Sequence, residues 1–304
     1  QISARSVGLN QGRRIALIYA VGAIRSGSSG FDVMGGDVLG SDSLVEAIRT
    51  ARDDDSVRAI ILRVDSPGGS AIASDVIWRE IALAREEKPV IASLSDLGAS
   101  GGYYIAMGAD TIVAHPATLT GSIGVVAGKI ATGGTYEKLG VTIEPVSDGR
   151  FAELYSPATR FSDDERAKMQ EHIDAIYEQF LLKAAEGRGT TRDAIHAVAQ
   201  GRVWTGRQAR GNGLIDEVGG LSLAIAIAKE RVGIDEAQEV ELVVYPRARS
   251  LFELLDGGFT MTEVVGRAMG FFPPEPRAIG AAMAPWRMFR AGEPLAIMPS
   301  ALVP

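Results

Sequence analysis

Short, continuous apolar runs alternate along the chain with stretches whose apolar positions recur every three or four residues. The first pattern is that of strands buried on both faces, the second that of amphipathic helices. Arg14-Ile15-Ala16-Leu17-Ile18-Tyr19-Ala20-Val21-Gly22 reads as the opening strand. The Gly/Ser-rich stretch from Arg25 to Gly40, with Gly27, Gly30, Gly35 and Gly36, predicts a long flexible loop without regular structure. Ser41-Asp42-Ser43 offers N-cap candidates for a helix with Leu44, Val45, Ile48 and Ala51 on one face. A strand over 59–64, a helix over 71–87, a strand over 89–95, a helix over 100–109 and a strand over 111–115 follow. Strands alternating with helices predict a mainly parallel sheet with crossover connections, an α/β fold.

The second half is more helical. Ser162-Asp163-Asp164-Glu165 carries a capping box and an acidic first turn, and Met169, Ile173, Ile176, Phe180 and Leu181 continue as an apolar stripe until Gly187 and Gly189. A helix over 192–200 precedes Trp204-Thr205, which reads as a core tryptophan followed by an N-cap. Val240–Tyr245 is the last predicted strand. Beyond Pro246 the composition shifts to Phe, Met, Pro and Gly, and an amphipathic helix over 250–270 is expected to end at Phe271-Phe272-Pro273-Pro274. The boundaries drawn from this are 1–12 as a leader or linker from an upstream half, 13–246 as the main domain, and 247–304 as a tail making an oligomer contact or partly disordered.

Two turns carry candidate chemistry. Ser100, in Leu97-Gly98-Ala99-Ser100-Gly101-Gly102, falls where a buried strand hands over to a helix, flanked by residues too small to cover its hydroxyl. That is a seat for a nucleophile, and it is also what an ordinary tight strand-to-helix turn looks like. Upstream, Asp65-Ser66-Pro67-Gly68-Gly69-Ser70 ends another buried strand, with glycines that let backbone N–H groups approach a ligand oxygen closely. Both turns lie at the carboxyl ends of strands, where open α/β sheets bind ligands. If the strands are neighbours, Ser100 and the Gly68/Gly69 amides face one cleft.

Composition narrows the class. The 304 residues are 46% hydrophobic and 23% charged, ordinary for a globular protein, and long enough for a sizeable core. A net charge of −7 without basic clusters argues against nucleic acid as a partner. With no cysteine, a thiolate nucleophile, a disulfide framework and a zinc–thiolate site are excluded. No stretch near the length of a membrane span and no export signal is visible, and the opening at Gln1 reads as that of a piece of something longer.

Together with Thr118-Leu119-Thr120-Gly121-Ser122-Ile123-Gly124-Val125, the two turns resemble the signal peptide peptidase A (protease IV) family of serine peptidases over roughly residues 13–246. The resemblance implies a crotonase/Clp protease-like fold, Ser100 as nucleophile, and Gly68, Gly69 and Gly101 as oxyanion-hole amides. It implies that Ser122 orients the general base, and that Gly201-Arg202-Val203-Trp204-Thr205-Gly206 is a family segment. No metal or organic cofactor is implied. The substrates implied are remnants of cleaved signal peptides or other apolar peptides, degraded at the bacterial inner membrane with the catalytic domain on its outer, periplasmic face. A homo-oligomer is expected.

A serine hydroxyl needs a base. His115, His172 and His196 read as a turn histidine and two helix-borne ones, so a Ser-His-Asp arrangement is poorly supported. The family pairs its serine with a partly desolvated lysine. Counting back from Ser156-Pro157 places Ala152 where short members carry that lysine, and Arg150 stays protonated and cannot replace it. The chain therefore resembles the C-terminal half of the long, duplicated form, the lysine being supplied by an N-terminal half. Lys129 is the nearby local alternative, in a stretch whose Gly128, Thr132, Gly133 and Gly134 predict a solvent-exposed loop. A crotonase-type acyl-CoA enzyme and a non-catalytic half that completes an oligomer remain as rival readings.

Overall fold

In the computed structural model, residues 12–32, 36–246 and 294–297 are described. In chain order the strands are β1 (Arg13–Val21), β2 (Ala23–Arg25), β3 (Gly30–Asp32), β4 (Gly36–Gly40), β5 (Val57–Ser66), β6 (Gly68–Ser70), β7 (Val90–Ala99), β8 (Thr111–Ala114), β9 (Leu119–Gly121), β10 (Val203–Thr205), β11 (Glu217–Val218), β12 (Val240–Tyr245) and β13 (Leu295–Ile297). The helices are α1 (Ser41–Asp53), α2 (Ala71–Glu87), α3 (Gly101–Ala106), α4 (Gly133–Lys138), α5 (Asp163–Gly187), α6 (Arg192–Val198), α7 (Gly206–Gly211) and α8 (Leu221–Arg231).

β1, β5 and β7 form the centre of the larger sheet, in the order β10-β9-β7-β5-β1-β12, with β8 joined to β7 and β11 to β8. All these pairs are parallel except β10–β9. The apolar runs explain the central position, because their alternate residues enter two different cores. Ala16, Ile18, Ile60, Leu62, Ala92 and Leu94 join the large core beneath α1, α2 and α3. Ile15, Leu17, Ala59, Ile61, Ile91 and Val113 face the other way, against Ala224 and Ala228 of α8.

Two of the three central strands then continue into a second sheet, while the third stays and divides. β1 passes through Gly22 into β2, and β5 passes through Pro67 into β6. β7 forks, with Ile91–Leu94 paired to β8 and Leu97–Ala99 paired to β9. β2 and β6 belong to a second, five-stranded sheet in the order β13-β6-β2-β4-β3. This is the mixed, mainly parallel α/β architecture expected of a crotonase/Clp protease-like chain.

The structure departs from the sequence expectation in three places. The described parts of the expected loop, residues 25–32 and 36–40, are not irregular: β3 and β4 pair as an antiparallel hairpin, and β4 lies parallel to β2. Serine hydroxyls add hydrogen bonds from the backbone, since Ser29 Oγ accepts from Gly40 N–H at 2.9 Å and Ser43 Oγ accepts from Ser29 N–H at 2.9 Å. α1 starts at Ser41 and has Gly40 as its N-cap with no side-chain cap bond, so the hydroxyls of 41–43 turn to that hairpin instead. α3 is shorter than the expected 100–109. The capping box at Ser162 and the N-cap at Thr205 form as expected, and at Thr205 the Gln208 side chain completes a capping box. The helix expected over 250–270 lies outside the described residues.

Candidate active site

β5 and β7 are parallel neighbours, in register from Ile60↔Val90 to Val64↔Leu94 and, after a bulge, paired again at Ser66↔Gly98. Their carboxyl ends bring the Pro67-Gly68-Gly69 turn and Ser100 to the same edge. Ser70 closes the first turn by capping α2, its Oγ accepting from Ala73 N–H at 3.2 Å. Gly102 lets α3 approach β5, because a Cβ at that position would lie 2.6 Å from the Ser66 carbonyl oxygen.

Ser100 is the N-cap residue of α3, with φ 53° and ψ −114°. A side-chain-bearing residue held there costs on the order of 1–3 kcal/mol, and such strain collects at functional sites. Ser100 is held there on both sides. Its N–H donates to the Gly121 carbonyl at 2.8 Å, and its carbonyl accepts from Tyr104 N–H at 2.8 Å. Two tyrosines anchor the helix beyond it: Tyr103 OH donates to the Leu214 carbonyl at 2.8 Å, and Tyr104 OH donates to Asp75 Oδ1 at 2.7 Å. Burial raises both phenol pKa values well above the ordinary range. Lys183 pairs with the same Asp75 and lies over the Trp78 ring, 3.9 Å from its centroid.

Ser122 follows Gly121 in the turn that β9 places beside β7, and it too has a positive φ, 49°. Its N–H donates to the Arg202 carbonyl at 2.8 Å, which ties this turn to the Gly201–Thr205 segment. Thr120 Oγ1 donates to the Gly98 carbonyl at 2.6 Å. Ser100 and Ser122 are both buried.

Four buried side-chain polar atoms lack a hydrogen-bond partner among the described residues, and three belong to this region: Ser100 Oγ, Ser122 Oγ and Lys129 Nζ. Leaving such a group unpaired costs about 1–3 kcal/mol, so folded proteins keep few of them. Lys129 therefore differs from the sequence expectation. Its Nζ is withdrawn from solvent and lies 4.6 Å from the centroid of the Phe161 ring.

The expected amides have different surroundings. Gly68 N–H donates to Ser66 Oγ at 3.2 Å. Gly69 sits between Ile24 of β2 and Ala296 of β13 in the smaller sheet. Gly101 opens α3, where an N–H has no acceptor within its own helix.

The remaining basic candidates are placed elsewhere. His196 Nδ1 is hydrogen-bonded with Tyr177 OH at 3.1 Å, and its Nε2 with Gln200 at 3.1 Å. His115 and His172 are exposed. Ala152, at the position the family resemblance gives to lysine, is exposed in a turn, and Arg150 pairs with Asp164 at 2.8 Å on the surface. No group of three or more His, Cys, Asp or Glu that could hold a metal occurs among the described residues.

One element of the site was not legible in the sequence. β13 pairs antiparallel with β6, placing Leu295 opposite Ser70, Ala296 opposite Gly69 and Ile297 opposite Gly68. Three apolar residues after a proline are too short a signal to separate from a loop by periodicity.

Comparison with known proteins places the chain in a family. The family model of peptidase family S49 matches residues 82–235. A chloroplast serine protease, SPPA, of Arabidopsis thaliana is 46% identical over 83% of this chain and 38% of its own length. Protease 4 of Salmonella typhi is 42% identical over 72% of this chain and 35% of its own. A Synechocystis sp. chain named as a protease is 31% identical over 85% of this chain and 88% of its own. The chain belongs to peptidase family S49, with the SppA and protease 4 serine peptidases. It spans well under half the length of the first two relatives.

Proposed function

We propose that this chain is the nucleophile-bearing part of a Ser/Lys endopeptidase, and that its general base is a lysine from an N-terminal half of the longer protein. The observation that carries the reading is Ser100 itself, held at a strained φ at the end of β7 with a buried, unpartnered Oγ. Ala152 at the family's lysine position supports a base from outside the chain.

In this reading the neutral lysine amine takes the Ser100 hydroxyl proton as Oγ attacks a peptide carbonyl. The tetrahedral oxyanion is met by amides at Gly68, Gly69 and Gly101. Collapse breaks the C–N bond, and the lysine returns the proton to the leaving amine. Water, deprotonated by the same lysine, then releases the acyl group and restores Ser100. Ser122 holds the lysine amine in line. The Gly68 N–H must turn from Ser66 Oγ to take part, whereas Gly101 N–H needs no such change.

Substrates are extended apolar peptides, such as signal-peptide remnants at a bacterial inner membrane, with the domain on the outer face. The assembly is a homo-oligomer. No helix among the described residues is long and apolar enough to cross a membrane.

The unpartnered Lys129 Nζ supports a second reading, in which this lysine is the base and the chain acts alone. Hydrolysis of a fluorogenic apolar peptide separates the two. The first reading predicts turnover only with the lysine-bearing half, lost in Ser100→Ala and kept in Lys129→Ala. Turnover by the isolated chain that is lost in Lys129→Ala would overturn it.

A further inference from the structure

The two halves of the candidate site sit at the starts of two helices. α2 begins at the Gly68-Gly69-Ser70 turn, which carries candidate oxyanion amides, and α3 begins at Ser100. Each start is tied to its own helix. Ser74 Oγ donates to the Ser70 carbonyl at 2.8 Å, and Tyr104 N–H donates to the Ser100 carbonyl at 2.8 Å. Where the two starts meet, glycine backbone touches its neighbours directly: a Cβ on Gly101 would lie 2.6 Å from Ser74 Oγ and 3.0 Å from Gly68 Cα. Such contact stops the starts from approaching further. It has no direction, and it does not stop them from sliding or parting.

One hydrogen bond supplies the direction. Tyr104 of α3 donates its OH to Asp75 Oδ1 of α2 at 2.7 Å, and among the described residues this is the one hydrogen bond that joins the two helices. A hydroxyl donating to a carboxylate makes a shorter and stronger bond than a neutral pair does. α5 holds both partners from outside. Lys183 pairs with Asp75, and its Nζ lies 3.9 Å from the Trp78 ring centroid and 5.8 Å from that of Tyr104. Phe180, one turn earlier, packs on Tyr104 with ring centroids 4.5 Å apart. Tyr104 is thus held along its ring as well as at its hydroxyl. Its neighbour Tyr103 makes no link to α2, since its OH goes to the Leu214 carbonyl.

We infer that Asp75 is a positioning residue for the reaction: through Tyr104 it fixes the separation of Ser100 from the amides of the Gly68-Gly69 turn, and Lys183 holds its carboxylate in place. The inference rests on the reading of Ser100 as the nucleophile. Asp75 touches neither the peptide nor the reacting atoms. Its effect therefore falls on the chemical step, in which the attacking oxygen and the oxyanion donors must be aligned to within about 0.5 Å, and not on capture of the peptide. It also gives α5, far along the chain, a part in a site built at the ends of β5 and β7.

The test uses the full chain together with the lysine-bearing half, and compares the parent with Tyr104→Phe, Asp75→Ala, Asp75→Asn and the double variant Tyr104→Phe/Asp75→Ala. Tyr177→Phe, which removes a hydroxyl bonded with His196 outside α2 and α3, is the control for losing a tyrosine hydrogen bond as such. Tyr104→Phe and Asp75→Ala are each expected to lower kcat for a fluorogenic apolar peptide about tenfold, with KM within about twofold of the parent. The double variant is expected to be no slower than either single one, because both remove the same bond. Asp75→Asn, whose amide oxygen still accepts from Tyr104, is expected to recover most of the loss, and Tyr177→Phe to leave kcat unchanged. Hydrogen exchange at the Tyr104 amide, which does not depend on turnover, is expected to rise about tenfold in Tyr104→Phe and in Asp75→Ala, with Ile61 in β5 unchanged as a control for global unfolding. Unchanged exchange at Tyr104, a loss carried by KM, additive losses in the double variant, no recovery in Asp75→Asn, or an equal loss in Tyr177→Phe would each overturn the inference. Failure of the Ser100 reading would show separately, as absence of Ser100 acylation in the parent itself, while the exchange results at Tyr104 still stood.

Discussion

The backbone N–H of Ser100 donates to the carbonyl of Gly121 at 2.8 Å, so the residue at the end of β7 is fastened to the turn that carries Ser122. Both serines have positive φ, and both hydroxyls are buried and unpartnered. Two strained residues tied together through the Gly121 carbonyl form a pre-set arrangement. If the strain serves the site, removing it should stabilise the fold. Ser100→Gly is expected to raise unfolding stability by about 1 kcal/mol over Ser100→Ala, because only glycine relaxes at this φ. Urea midpoints of the two variants check it, and both are expected to lose acylation.

Gly102 makes the opposite case. A methyl group there would press on the Ser66 carbonyl at 2.6 Å, a backbone atom with little room to move. Gly102→Ala is expected to destabilise by about 1–3 kcal/mol through overpacking and to separate α3 from the end of β5. Denaturant unfolding measures the first effect and loss of Ser100 acylation the second.

Away from the site, Glu80 is buried on α2 between two arginines, bonded to Arg49 at 2.8 Å and to Arg52 at 2.7 Å. Removing the carboxylate leaves Arg52, largely covered, without its buried partner. Glu80→Ala is expected to destabilise by about 3 kcal/mol, and Glu80→Gln by less, since the amide oxygen still accepts one bond. Thermal unfolding ranks the three chains.

Asp65, at the end of β5, has its carboxyl pKa raised, first by burial and then by the nearby charge of Asp96. A carboxyl whose native pKa exceeds its unfolded value binds its proton more tightly when folded. It therefore favours folding at low pH, and that contribution is lost as the pH rises from the ordinary carboxylate range through the raised value. Asp65→Asn is expected to gain stability relative to its parent as the pH rises through this window. Paired urea titrations at pH 4 and pH 7, about the two sides of that window, follow the difference, and a constant difference would contradict it.

Much of this was legible in the sequence because continuous apolar runs leave few choices. The runs around Ile15–Ile18, Ile60–Leu62 and Val90–Leu94 became the three central strands, and the Ser162 capping box and the Thr205 N-cap start helices as read. The adjacency of Ser100 and the Gly68-Gly69 turn followed from parallel neighbours sharing their carboxyl ends. Three features were not legible, each for its own reason. Around β3 and β4 the hydroxyls of Ser29, Ser41 and Ser43 accept hydrogen bonds from backbone N–H groups, which composition does not reveal. Lys129 lies among glycines that suggest exposure, yet Phe161, far along the chain, covers its ammonium. β13 takes its conformation from partners at Gly68–Ser70 and Val126, and its own three residues carry almost no strand signal.

The most direct test of the central claim is labelling with a serine-reactive fluorophosphonate. The chain alone, the chain mixed with a lysine-bearing N-terminal half, and the Ser100→Ala form of each are compared. The account predicts labelling only when the lysine-bearing half and Ser100 are both present. Equal labelling of the isolated chain would contradict a base supplied from outside, and no labelling in any combination would contradict Ser100 as the nucleophile.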